Sequence, residues 1–203
     1  MGRISNNALE IEIEIEIENR ERRMQQVSPM ATRYDGPTIW FHWTVACLVL
    51  VQWLLAQVID WFPLGMPRIE ARSLHISLGL FLGVLLLARV VWRATRGRVL
   101  LPADRGALQI LAKAVHYILY VLLIAMVAVG LFLVWVRGDS FFGLFTVPAF
   151  DPGNKALRHN IEELHGTIAT IILILAGLHA AASLIHHYLW HDNVLRRMLP
   201  SSN

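Results

Sequence analysis

The sequence predicts an all-α integral membrane protein built as a four-transmembrane-helix bundle, and three observations predict it. Hydrophobic residues make up 56% of the 203, which fits one membrane-embedded domain rather than several soluble ones. Four apolar stretches each approach the ~20 residues needed to cross a bilayer. Tryptophans stand at the ends of these stretches (Trp40, Trp43, Trp61, Trp92, Trp135, Trp190) with only Trp53 in mid-span, as an interfacial belt requires.

The first span runs near Thr38–Trp61 and holds His42 and Cys47. The second, near Ser73–Trp92, opens on SLHISLG and closes on Arg89. The third is expected near Ala112–Val136 and the fourth near Leu164–Trp190. Between spans two and three, RATRGRVLLPADRG carries Arg93, Arg96, Arg98 and Arg105 against Asp104, and Lys113 follows. The other two connections are charge-balanced, so the positive-inside rule places the middle loop and both termini in the cytoplasm. A formal charge of +3 is thereby a topological signal, and no nucleic-acid footprint is present. Residues 1–29, with the run IEIEIEIE, lack a signal-peptide core. A lone strand has nothing to pair with, so this stretch reads as a disordered tail or a misassigned start, with Met24 or Met30 as other initiators in place of Met1. The membrane domain is assigned to residues 30–200.

Four histidines, His42, His75, His165 and His179, fall inside the apolar spans. An imidazole in hydrocarbon is costly unless something holds it, so these positions point to a site. His165 and His179 are 14 residues apart, which in an α-helix is a rise of roughly 21 Å with a net rotation of about −40°. They share a face at opposite leaflets. Matching depths across the bundle pairs His42 with His179 on the inner side and His75 with His165 on the outer side. Two imidazoles per iron make a six-coordinate haem, so the chain is expected to carry two. With a single cysteine and no CxxCH, the haems are held noncovalently. Cys47 reads as a small apolar packing residue.

Other polar residues fall at haem depth. His116 enters span three at inner depth and competes with His42 for the iron; beside Lys113 it reads as a propionate or quinone contact. Arg89 lies 14 residues beyond His75, at inner depth, where its guanidinium either pairs with a propionate or snorkels. Gln57 reaches outer depth from the side, its commoner use being a helix–helix hydrogen bond. Gly79, Gly83 and Gly130 either leave room for a macrocycle or, for the first two, pack helices as GxxxG. His186, seven residues past His179, returns to the same face about 10 Å nearer the cytoplasm, where an imidazole can bond a quinone carbonyl and pass a proton or simply sit at the interface. Glu162 and Glu163 are expected to favour the positive end of the fourth helix. His159 and His191 fall in loop and tail without a role.

The phrases FHW (41–43), SLHISLG (73–79), VWVRGDSFFG (134–143), ELHGTIA (163–169) and GLHAAASLIHHYLWHDNVLRRMLP (177–200) resemble the bacterial cytochrome b561 family, over nearly all of residues 33–200. The resemblance implies a cytoplasmic-membrane (inner-membrane) protein with two haem b groups, ligated by His42, His75, His165 and His179. It implies a superoxide oxidase, taking electrons from superoxide at the outer haem and reducing ubiquinone at the inner one, with the quinone histidine at His186. The wider family also contains electron-transfer subunits that serve partner dehydrogenases, so the donor stays open between superoxide and an unidentified protein. A third reading is a non-redox four-helix transporter or scaffold. Basic residues that could steer an anion exist in Arg68, Arg72, Arg137, Lys155 and Arg158, yet Asp60, Glu70, Asp139, Asp151, Glu162 and Glu163 offset them.

Overall fold

The computed structural model describes residues 33–101 and 106–200, together with Glu16. The tail, its start sites and the pair Asp104 and Arg105 lie outside the described residues. The chain divides after Arg33, and everything that follows concerns the unit beginning at Tyr34.

Four long helices make up this unit: α1 (Gly36–Val58), α2 (Met66–Thr95), α3 (Ala107–Arg137) and α4 (Lys155–Tyr188). Each is long and apolar enough to cross a membrane. Asp35 caps α1, its side chain accepting the Thr38 N–H at 3.2 Å, and Pro37 follows at the first turn, where a missing N–H costs nothing. Asn154 caps α4 by accepting the Leu157 N–H at 2.9 Å. Gly138 ends α3 in the left-handed conformation with its N–H on Val134 O at 3.1 Å, the usual way a helix closes on glycine.

Neighbouring helices pack in order, α1 on α2, α2 on α3 and α3 on α4, and no comparably close approach joins α1 or α2 to α4 among the described residues. The small core is Val45 against Leu82 and Leu85, with Phe41, Leu48, Val49 and Leu123 around it. Two glycines set its tightness. A Cβ on Gly79 would meet Gln52 Nε2 at 2.9 Å, and one on Gly83 would meet Val127 Cγ1 at 2.9 Å. GxxxG therefore packs α2 against α1 and α3 rather than making space for a ligand. Most large apolar side chains, such as Leu54, Val84, Val121 and Ile174, point outward, which lipid tolerates as well as a core does. Cys47 is on that outer surface. Its expected packing role is corrected on this point, since in a bilayer a small apolar side chain meets lipid without penalty.

The two ends of the bundle are closed differently. At the loop end, Asp35 also accepts from Trp92 Nε1 (2.8 Å) and the Arg98 N–H (2.9 Å), Trp43 Nε1 donates to Met198 O (2.7 Å), Arg197 to Leu101 O (2.7 Å) and Tyr34 N to Arg197 O (3.1 Å). The chain before α1, the arginine-rich loop and the C-terminal segment thus tie into one cap. At the hairpin end, a short ribbon of β1 (Ser140–Phe141) and β2 (Phe145–Thr146) turns through Phe142 (φ 51°) and Gly143 (φ 71°). Ser73, fully buried, holds it: its hydroxyl lies 2.9 Å from Ser140 O and accepts the Phe142 N–H at 2.8 Å.

The helices outrun the apolar stretches that announce them. α2 begins at Met66 rather than Ser73 and α4 at Lys155 rather than Leu164, because backbone hydrogen bonding continues after hydropathy has fallen. Two expectations change in consequence. His159 is on α4, 3.5 Å from Glu163, not in a loop. Glu162 and Glu163 sit two turns inside the helix, and its first turn carries no acid; Glu162 pairs instead with Arg137 and Arg158 at 3.3 and 3.2 Å.

Candidate functional site

Histidines from α1 and α2 meet histidines from α4 at the two ends of the bundle. The rings of His42 and His179 are 6.3 Å apart at the loop end, and those of His75 and His165 are 6.3 Å apart at the hairpin end, with interplanar angles of 70° and 72°. The equality has a chemical meaning. A first-row metal sits about 2 Å from an imidazole nitrogen and each half-ring adds about 1.2 Å, so one metal between two rings sets their centres ~6.4 Å apart. The Nδ1 atoms of His75 and His165 are buried without a hydrogen-bond partner. Gly130 supports the same ring: a Cβ there would stand 3.1 Å from His165 Cε1. The residues present therefore fit a bis-imidazole group at each end.

At the loop end the arrangement is richer. His116 stands 5.0 Å from His179, short of the span one metal needs. Its Nδ1 donates to Ala112 O at 2.6 Å, which leaves Nε2 as an acceptor. Arg89 points inward rather than out to the interface, with Nη2 3.1 Å from His42 Nδ1 and its guanidinium 5.2 Å from the centre of the Tyr120 ring. His186, at the last turn of α4, donates from Nδ1 to Asp192 and lies edge-on to Trp190 at 4.4 Å.

At the hairpin end the charges form a chain. Arg72 and Arg137 lie 3.7 and 3.5 Å from Asp139, and Arg137 and Arg158 share Glu162. Burial pushes the Asp139 carboxyl up, against the pull of the two arginines. The acids are thus held by the arginines they offset, and three cations against two anions leave this chain net positive. Arg68 bonds the carbonyls of Asp60 and Phe62, both at 2.8 Å from Nη2, which commits it to the loop between α1 and α2.

Sequence reasoning passed over Gln52, Tyr120 and Asp192. Gln52 donates to His75 O at 2.9 Å while its Oε1 is buried without a partner. Its signal was available, an amide in mid-span ten residues past His42. Gln57, weighed instead, is exposed on the outside of α1. Asp192 left no such signal, because a backbone turn brings it to His186.

An apolar helical bundle with paired intramembrane histidines defines a membrane electron-transfer cytochrome. The family model of prokaryotic cytochrome b561 matches residues 33–201, and the chain belongs to that family, whose members bind haem b and transfer electrons in the membrane. The chain is 30% identical over 171 residues to cytochrome b561 homolog 1 of Escherichia coli strain K12, covering 83% of this chain and 97% of that protein. It is 31% identical over 181 residues to cytochrome b561 homolog 2 of the same strain, covering 84% and 93%. It is 29% identical over 174 residues to the probable superoxide oxidase CybB of Yersinia pestis, covering 84% and 98%.

Proposed function

We propose that this chain is a di-haem superoxide:ubiquinone oxidoreductase of the inner membrane, with its loop end and both termini in the cytoplasm. Its haem ligands are His42 with His179 at the cytoplasmic end and His75 with His165 at the periplasmic end. The observation that carries this reading is the 6.3 Å separation shared by two imidazole pairs at opposite ends. His42 is preferred to His116 as the partner of His179 because only the longer separation admits a metal. Bound haem b would supply one-electron transfer, and held by two histidines it would exchange electrons without binding the donor at iron.

The protein's own residues do the rest. A His42 ring holding the group through Nε2 would carry its proton on Nδ1 and no longer accept from Arg89, whose guanidinium would then be available to a propionate. Gly130 leaves the His165 ring its place. At the periplasmic end the Arg72–Asp139–Arg137–Glu162–Arg158 chain presents a net positive rim to an anionic donor. At the cytoplasmic end His186 is positioned to bond a quinone carbonyl, with His116 as a second polar group on that rim. The similarity to the probable superoxide oxidase of Yersinia pestis supports superoxide as the donor. A self-contained chemistry is favoured over service to a partner dehydrogenase because each end carries the groups its half-reaction needs.

The test is stopped-flow mixing of haem-loaded protein in oriented vesicles with superoxide. Superoxide supplied on the hairpin-end side reduces haem within the mixing time, and added ubiquinone then reoxidises it. No superoxide-driven reduction from either side would overturn this reading in favour of a subunit fed by a partner protein.

A further inference from the structure

We infer that Gln52 is the positioning residue of His75, an inference that rests on His75 as a haem ligand at the hairpin end. An amide in the middle of an apolar span is costly and is kept where it makes a bond across the bundle. Gln52 makes that bond on the ligand itself: its Nε2 donates to His75 O at 2.9 Å. The carbonyl does not depend on it, because α2 is continuous from Met66 to Thr95 and a helical carbonyl already takes the N–H four residues on. That N–H belongs to Gly79, where a Cβ would meet Gln52 Nε2 at 2.9 Å. The missing side chain lets the amide reach the His75 backbone, so Gly79 and Gln52 act together.

The other half of the amide is the informative half. A carbonyl only accepts, so Nε2 is the atom that faces His75 O and the orientation of the amide follows from the bond. Oε1 is left over. Among the described residues, the buried side-chain atoms that lack a hydrogen-bond partner are Gln52 Oε1 and three nitrogens, His75 Nδ1, His165 Nδ1 and Arg137 Nε. Oε1 is thus the one acceptor in that set. His165 sits against Gly130 on α3 and Arg137 lies beside Asp139, whereas His75 is the residue Gln52 already holds. The His75 ring also lies close enough to Gln52 to interact with its backbone carbonyl. A ring holding haem through Nε2 would carry its proton on Nδ1, and ligand histidines give that proton to an oxygen that fixes the ring and raises its basicity. The backbone carbonyl of Gln52 already serves α1, which runs on to Val58; Oε1 has no such commitment. The two atoms are not bonded in this structure, and the contact forms as the ring takes its ligating orientation. Gln52 then holds the His75 backbone with one end of its amide and the ring with the other. A more basic imidazole favours the ferric state, so the bond keeps the reduction potential at the hairpin end low.

The experiment is a potentiometric titration of the full-length haem-loaded protein followed by absorbance, with haem affinity measured on the same variants. His75→Ala removes one redox wave and so assigns the hairpin end. In Gln52→Leu that wave moves to higher potential while the other stays, and haem binds there about ten- to 100-fold more weakly. Gln52→Glu keeps an acceptor on the same arm and leaves the wave at or below its unmutated position. Gly79→Ala, whose methyl takes the place of the amide, moves the same wave upward. Adding it to Gln52→Ala moves nothing further, because no amide is left to displace. A Gln52→Leu protein that melts at lower temperature with its hairpin-end wave unmoved makes Gln52 a tether between α1 and α2 and overturns the inference. An upward shift in Gln52→Glu as large as in Gln52→Leu also overturns it, by placing the effect on the donor end of the amide. Both waves surviving in His75→Ala overturns the ligand assignment itself, and the inference falls with it. If Gln52→Leu does not assemble, Gly79→Ala decides: an upward shift of the hairpin-end wave supports the role, and an unmoved wave overturns it.

Discussion

A side chain at Gly130 should cost the protein the haem at the hairpin end and spare the other. A Cβ built on Gly130 lies 3.1 Å from His165 Cε1, closer than the ~3.5–4.0 Å at which carbon contacts are favourable. Alanine therefore asks the ring to yield by a few tenths of an ångström, and leucine drives further methyl groups into it. Overfilling a packed place costs about 1–3 kcal/mol, and every 1.4 kcal/mol is a factor of ten in affinity, so haem should bind roughly five- to 150-fold more weakly at that end. Gly130→Ala belongs near the lower figure and Gly130→Leu at or beyond the upper. Haem titrated into the apoprotein and followed by absorbance separates the two sites, because the His42–His179 end is untouched. Gly83→Ala serves as control: it makes a somewhat closer clash, 2.9 Å from Val127 Cγ1, but strains α2 against α3 with no histidine involved. It should lower thermal stability without favouring one haem over the other. A Gly130→Leu protein that takes up two haems with unmutated affinity would refute the reasoning.

Other consequences can be measured on the same preparations. His116→Ala should keep both haems, read as an unchanged reduced-minus-oxidised spectrum; loss of one would make His116 rather than His42 the ligand opposite His179. Asp35→Ala should cost about 0.5–2 kcal/mol of stability by removing a helix cap, and more where its bonds to Trp92 and Arg98 also hold the α2–α3 loop. Burial opposes ionisation of Asp35, yet the bonds from the Arg98 N–H, Trp92 and Thr38 hold its carboxyl well below the ordinary carboxylate range. Its contribution is therefore fully present above the unfolded value near pH ~4 and fades as the pH falls toward the lower folded value. Thermal melts of the two proteins should differ at pH 7 and converge in strong acid. Neutralising Arg158, half-exposed beside Glu162, should slow reduction by superoxide and flatten its dependence on ionic strength, because steering between exposed charges is screened by salt.

How much of this was legible in the sequence follows from which interactions are local. Hydropathy announces four spans because each must cover the bilayer by itself, and the 14-residue step from His165 to His179 needs only helical geometry. Depth matching then brings His42 to His179 and His75 to His165 without any knowledge of side-chain contacts. The same local logic misplaces helix ends: Met66–Arg72 and Lys155–Glu163 are helical although too polar to announce a span. Contacts made by turns were invisible, which is why the hairpin held by Ser73 and the return of Asp192 to His186 emerge only in three dimensions. Arg89 stood between two uses on sequence alone, and its inward position beside Tyr120 depends on which face of α2 meets α3.

The central claim is that two imidazole pairs each hold one haem, and haem counting tests it most directly. A pyridine haemochrome assay on purified protein of known concentration should give two haems b per chain. The same assay on His75→Ala and on His42→Ala should give one each, from opposite ends, with distinct residual spectra. One haem per chain in the unmutated protein, or both lost together on either substitution, would contradict the account.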